Sequence, residues 1–243
     1  MPKNSLRIIP LGGLGDIGRN MMAVEYSDEI IIIDAGILFP DESMPGVDFV
    51  IPDITYLRKH RDKVKAILVT HGHEDHTGAL PYVLPELDVP LYASRLTHGL
   101  ITAKLRERGL LKDARLNVIE PHQPFNIGRF HVEFFHVCHS IPDAMGIALK
   151  TPLGTIVHTG DFKIDHTPVD GKPTDFVKLA EIASDGVLLL CADSTYAEIE
   201  GYTPTEQLVG EALDRVIGDA GGRVIVATFA SLISRIQQVV DAA

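Results

Sequence analysis

Six consecutive residues, His71-Gly72-His73-Glu74-Asp75-His76, follow directly on the apolar stretch Val64-Lys65-Ala66-Ile67-Leu68-Val69-Thr70. Three imidazoles and two carboxylates this close together cannot be core, because each would need a buried polar partner of its own. Imidazole nitrogens and carboxylate oxygens are, in contrast, good donors for zinc or manganese. Their position matters as much as their type. Side chains that leave the tip of a strand are fanned around an ion by the loop that follows. The run reads as a metal site, and the fold has to bring further ligands to it.

Two four-coordinate ions need about six to eight donors between them. The first motif offers His71, His73, Asp75 and His76. His139 closes the strand-like run Phe134-Phe135-His136-Val137-Cys138, and Asp161 closes Thr155-Ile156-Val157-His158-Thr159-Gly160. Asp34, at the end of Ile30-Ile31-Ile32-Ile33, is placed to orient a ligand from behind. Polar groups at the ends of four strands are what a site along one edge of a sheet requires. Glu74 and the histidines at 60, 98, 122, 131, 136, 158 and 166 lack that context. They read as solvated or hydrogen-bonding side chains.

Hydrophobic periodicity predicts strands over residues 6–11, 20–26, 30–34, 66–70, 115–119, 128–138, 144–151, 155–159 and 187–192. Helices are predicted over 55–62, 77–84 and 97–108, and a Pro- and Gly-rich loop over 39–53. After residue 205 the pattern becomes helix (207–217), strand (223–228), helix (233–243). This is an α/β layered fold over 1–192, with a differently built unit opening at 193. The last predicted helix meets no Gly, Pro or Asn stop signal, so the chain reads as cut short. Gly13-Leu14-Gly15-Asp16-Ile17-Gly18 satisfies G-x-G-x-x-G, but a strand rather than a helix is expected after it. A dinucleotide site needs the helix.

A net charge of −11 argues against a generic basic nucleic-acid binder. It does not exclude a nuclease, since divalent ions reverse the local field. No apolar run approaches the ~20 residues of a membrane span. Met1 to Ser5 lead into a strand-like segment without the apolar core of a signal peptide. The two cysteines, Cys138 and Cys191, suggest no disulfide framework. A soluble, cytoplasmic protein without a membrane partner is expected.

The His71–His76 run, with Asp34, His139 and Asp161, resembles the motifs of the metallo-β-lactamase superfamily. Leu11 to Gly18, His139-Ser140-Ile141-Pro142-Asp143, His158-Thr159-Gly160-Asp161-Phe162-Lys163 and Ala192-Asp193-Ser194-Thr195 are similar to the ribonuclease J family of its beta-CASP nuclease branch. The similarity runs through all 243 residues. It implies an αββα sandwich, the N-terminal part of a catalytic domain over 1–192, running into the start of a beta-CASP α/β insertion domain over 193–243. It also implies two Zn2+ ions, with Mn2+ or Mg2+ as alternatives. His71, His73 and His139 would hold one ion, Asp75 and His76 the other, and Asp161 would bridge.

By the same resemblance Asp75 would accept a proton, and Asp193 would assist proton transfer or contact RNA. Ser231 would seat a substrate phosphate, although the family usually shows Asn where this chain has Leu232. Main-chain carbonyls around Pro45 and Val47 would hold a structural Ca2+. The implied substrate is single-stranded RNA, cut 5′→3′ from a monophosphorylated end and also internally. The implied partners are a second copy, as a homodimer of the full-length protein, and an RNA-decay assembly. Two later histidine motifs of the family lie outside this sequence, and one of them completes the second zinc site. The 243 residues alone are therefore expected to be inactive. The competing readings are a thioesterase or lactonase on the same scaffold, and a non-catalytic scaffold. The α/β unit from Asp193 disfavours the acyl hydrolases, and the intact N-terminal ligand set disfavours the scaffold.

Overall fold

Ile30 to Ile33 are all buried, and the strand they form divides its side chains between two cores. The computed structural model describes residues 4–243, so the reading at Met1–Lys3 lies outside the described residues. Strands β1 (Leu6–Gly12), β2 (Met21–Tyr26) and β3 (Glu29–Ile33) form an antiparallel meander. Strands β4 (Val64–Leu68), β5 (Leu91–Ala93) and β6 (Leu116–Val118) extend it in parallel, giving a six-stranded sheet in sequential order. Parallel neighbours need crossovers. They are supplied by α1 (Thr55–Lys59), by α2 (Glu74–Thr77) with α3 (Leu80–Leu87), and by α4 (Arg95–Glu107).

A second sheet holds β7 (Phe125–Ile127), β8 (Phe130–His136), β9 (Met145–Thr151) and β10 (Gly154–His158), all antiparallel. After α5 (Phe176–Ala183), strand β11 (Leu189–Cys191) joins β10 in parallel. Ile31, Ile33, Ala66 and Leu68 of the first sheet pack with Phe130, Phe134, Ile147 and Leu149 of the second. Each large side chain buried there contributes about 1.5–3 kcal/mol. Ile30, Ile32 and Ile67 face the other way, onto Leu57, Leu80, Val83 and Ile101 of the helices. Phe135, Ala148 and Val157 meet Leu179 and Ile182 of α5 behind the second sheet. The layers run helix, sheet, sheet, helix, as an αββα sandwich does.

Helices α6 (Gln207–Gly218) and α7 (Ile233–Asp241) pack on each other beyond the second sheet. The buried Asp165 carboxylate ties them on, accepting the Glu206 N–H at 3.0 Å. Lys163 Nζ reaches Asp165 at 3.3 Å and donates to the Pro204 carbonyl at 3.2 Å. Arg235 of α7 pairs with Glu206.

Two expectations are corrected. Residues 223–228 form no strand, and Ile225 is 87% exposed. A strand exists only through its ladder, and no other strand of the described residues runs alongside this segment. In place of the helix expected over 77–84 there are two, α2 ending at Thr77 and α3 from Leu80 to Leu87, so Asp75 and His76 sit on a one-turn helix and not on a loop. The glycine loop 13–18 leads into β2.

Candidate metal centre

Five functional side chains follow the C-terminal ends of strands: Asp34 after β3, His71 after β4, His139 after β8, Asp161 after β10 and Asp193 after β11. Because β3 and β4 are parallel, and β8, β10 and β11 point one way, each sheet delivers its residues to a single edge. The two sheets are stitched there by the Met145 N–H, which donates to the Thr70 carbonyl at 2.9 Å. The sequence spreads these residues over 160 positions of chain; the sandwich brings them together.

His73 Nδ1 lies 3.1 Å from His71 Nε2 and 3.2 Å from His139 Nε2. Asp161 Oδ2 stands 3.9 Å from His71 Nε2 and 3.7 Å from His139 Nε2. The other oxygen of Asp161, Oδ1, lies 3.3 Å from His76 Nε2, which is 3.4 Å from Asp75 Oδ2. Two donor groups result, His71-His73-His139-Asp161 and Asp75-His76-Asp161, each with its donor atoms within 4.8 Å of one another. Asp161 belongs to both.

The donor set fits metal ions on physical grounds. Donors bound at about 2.0–2.1 Å to one tetrahedral zinc stand about 3.3 Å apart, close to the separations of His73 Nδ1 from His71 Nε2 and from His139 Nε2. Packing four imidazoles with ring centres 4.1–4.9 Å apart is unfavourable if they are charged. Burial, the largest influence, holds His71 and His73 below the ordinary histidine value and brings His139 down to about 4. Their lone pairs are therefore available. His73 Nε2 is buried, and the Ser231 main chain lies against the His73 ring.

Partners behind the cluster set the tautomers. Asp34 accepts the Thr70 N–H at 2.8 Å and the Thr70 hydroxyl at 2.9 Å. It also accepts His76 Nδ1–H at 2.8 Å, which turns Nε2 toward the cluster. The Thr70 hydroxyl, spent as a donor on Asp34, accepts from His71 Nδ1 at 3.0 Å. Burial opposes charge on His76, but Asp34, Asp161 and Asp75 together raise its pKa well above the usual value, so a metal ion at Nε2 would take the place of the proton that these carboxylates hold there. Burial likewise opposes ionisation of Asp161, yet His76 leads a set of histidines that pulls its carboxyl to about 2.

Short helix α2 is docked by its carbonyls. Glu74 O accepts from the Ile37 N–H (3.1 Å), Asp75 O from the Asn20 N–H (3.0 Å) and His76 O from the Ala35 N–H (2.8 Å). Asn20 Nδ2 also donates to Asp75 Oδ2 at 3.3 Å and lies 3.1 Å from His76 Nε2. Sequence reading missed Asn20 and Thr70 because neither residue type marks a site without its tertiary neighbours. Glu74 is not simply solvated: Lys104 Nζ donates to it at 2.8 Å. His158 Nδ1 accepts the Gly160 N–H at 3.0 Å, in the hydrogen-bonding role expected of it.

Two cavities flank the cluster. One, of about 690 Å³, is lined by His139, Asp161, Lys163 and Asp193; the other, of about 720 Å³, by Asp34, Asp75, His76, Asp161 and Asp193. Asp193 Oδ1 accepts the Thr195 N–H at 2.9 Å and the Thr195 hydroxyl at 2.6 Å. Ser231 sits in the turn ahead of α7, and it is Ser234 that lines the first cavity. Pro45 and Val47 lie on an exposed loop and line neither cavity.

The metallo-β-lactamase superfamily model matches residues 14–217, which include every one of these strand-end residues. The chain belongs to that superfamily. Members of the metallo-β-lactamase superfamily are metal-dependent, in keeping with the donor groups above. The chain is 52% identical over 249 residues to ribonuclease J of Thermus thermophilus, covering 100% of this chain and 44% of that protein. It is 47% identical to ribonuclease J of Synechocystis, covering 100% of this chain and 39% of that protein. The chain thus spans less than half the length of these curated relatives. A crystal structure of a protein of unknown function from Enterococcus faecalis superposes with a TM-score of 0.74 at 19% identity, covering 97% of this chain and 63% of that one. That likeness shows the shared metallo-β-lactamase fold. Among the described residues, no helix is long and apolar enough to cross a membrane.

Proposed function

We propose that this chain is the metal-binding part of a ribonuclease that hydrolyses RNA phosphodiester bonds. The observation that carries the reading is the pair of donor groups sharing Asp161, with a cavity on either side. The identity of 44–52% to proteins named ribonuclease J supplies the substrate class. Three imidazoles in one donor group favour zinc over magnesium. The chemistry such ions supply is Lewis acidity at phosphoryl oxygens and a water pKa lowered toward about 7.

The residues divide the work. His71, His73 and His139, neutral through burial, would hold one ion and Asp75 and His76 the other, with Asp161 a donor within reach of both. Asp75, steadied by the Asn20 amide, is the proton acceptor. Asp193, on the wall of both cavities, contacts the RNA or relays the proton. Residues 193–243 are read as the opening of a beta-CASP unit. A 5′→3′ exonuclease with endonuclease activity, a homodimer, an RNA-decay assembly and a cytoplasmic location are proposals for the intact protein.

The test is cleavage of labelled, 5′-monophosphorylated single-stranded RNA by the intact, metal-loaded protein, with a thioester as a second substrate. RNA should be degraded and the thioester left whole. Asp161→Asn should lower turnover by on the order of 10²-fold or more, because one carboxylate serves both ions. Thioester turnover without RNA cleavage, or undiminished cleavage by a metal-verified Asp161→Asn protein, would sink the reading.

A further inference from the structure

We propose that Lys104, on α4, is a positioning residue for the Asp75–His76 half of the metal centre. The inference rests on the two-ion reading above. A four-residue helix cannot hold its own shape, since one turn lies below the length at which helices persist. Main-chain N–H groups of Asn20, Ala35 and Ile37 grip α2 on one side through its carbonyls. Lys104 grips it on the other. Its ammonium donates to Glu74 Oε2 at 2.8 Å and to Thr77 Oγ1 at 2.9 Å, the first and last residues of α2.

The chain of contacts continues. Thr77 Oγ1 donates to the His73 carbonyl at 2.9 Å, so the lysine also bears on the loop that carries a histidine of the other donor group. The Lys104 side chain is only 19% exposed, whereas Glu74 is 47% exposed. A surface ion pair of this kind is ordinarily worth little and is easily screened. Here the cation is withdrawn from water, and burial pulls it below the usual lysine value against the opposing pull of Glu74. A lysine bears that cost where its three donors fix other groups. Asp75 and His76 lie between the two gripped ends, so the spacing of their donor atoms depends on a side chain that touches neither.

The test is a stepwise Co2+ titration of the intact protein, followed by visible absorption, on wild type, Lys104→Met and Lys104→Arg. Methionine preserves the packing of the lysine stem and removes the charge. The second equivalent should bind about 10–100-fold more weakly to Lys104→Met, as when other orienting groups are lost, with a smaller weakening of the first, which the lysine reaches only through Thr77 and the His73 carbonyl, and arginine restoring part of the loss. Glu74→Gln, on the exposed side of the pair, should show a smaller loss of the same kind and covers the case in which Lys104→Met fails to fold. Two equivalents bound as in wild type would overturn the proposal alone. Equal weakening of both equivalents, together with a lowered melting temperature, would overturn it in favour of general support of the fold. No uptake by wild type would overturn the two-ion reading and this proposal with it.

Discussion

Asp34 adopts φ +60° directly after β3, in the left-handed region that few non-glycine residues occupy. The turn aims its carboxylate at the Thr70 N–H, the Thr70 hydroxyl and His76 Nδ1 together. Asparagine tolerates the same backbone and has the same size, so Asp34→Asn removes charge without adding strain. We expect metal affinity of the intact protein to fall about 10–100-fold in calorimetric titration, and the thermal midpoint of the metal-free protein to fall as well, because an amide cannot accept from Thr70 and His76 together. Unaltered affinity would show that Asp34 does not orient His76. At this scale the sequence announces residues whose chemistry is unusual for their place. Asp34, His139 and Asp161 are legible because a charged or imidazole group ends an apolar strand. Asn20, Thr70 and Lys104 are ordinary residues in ordinary contexts, and only their neighbours in space give them a role.

Helix α2 fits its place because the residue opposite it has no side chain. A Cβ on Gly36 would fall 1.4 Å from the Asp75 carbonyl oxygen. Gly36→Ala should therefore force α2 away from the β3 loop and cost about 3 kcal/mol or more, read as a drop in denaturation midpoint. Gly99→Ala is the matched control: it lies within α4 with nothing inside 4 Å of its Cβ position, and helix propensity predicts a gain of up to about 1 kcal/mol. Equal effects of the two would contradict the close docking. Strands β2, β3, β8 and β9 lie where periodicity places them, since both their faces are set by local apolar pattern. The expected strand at 223–228 has the same local pattern and no ladder, because pairing is decided by what lies alongside.

On the scale of the whole molecule, the last two helices are tied on around one buried carboxylate, with Lys163 and Thr167 adding contacts beside it. Burial opposes ionisation of Asp165, but the Glu206 and Thr167 amides, the Thr205 hydroxyl and Lys163 pull it down to about 2. An unfolded aspartate titrates near 3.9. A carboxyl depressed by folding adds stability that is complete above the unfolded value and is lost as pH falls toward the folded one. Docking of α6 and α7 should thus weaken between about pH 4 and pH 2. Pepsin cleavage within 200–243 should rise over that interval faster than cleavage in the sandwich strands. Asp165→Asn should already be cut there at pH 4. Parallel rises in both regions, or a variant that behaves as wild type, would rule out the latch.

The amino-acid order by itself determined the layered α/β class, the cluster at 71–76 and the polar ends of the apolar strands, because alternation and ligand chemistry are local properties. Tertiary structure decided which donors share an ion, that Asp161 faces both groups, and that α2 is gripped from two sides. Those facts depend on distances between segments up to 90 positions apart in sequence. Such distances are set by how two sheets stack, and no local pattern encodes them.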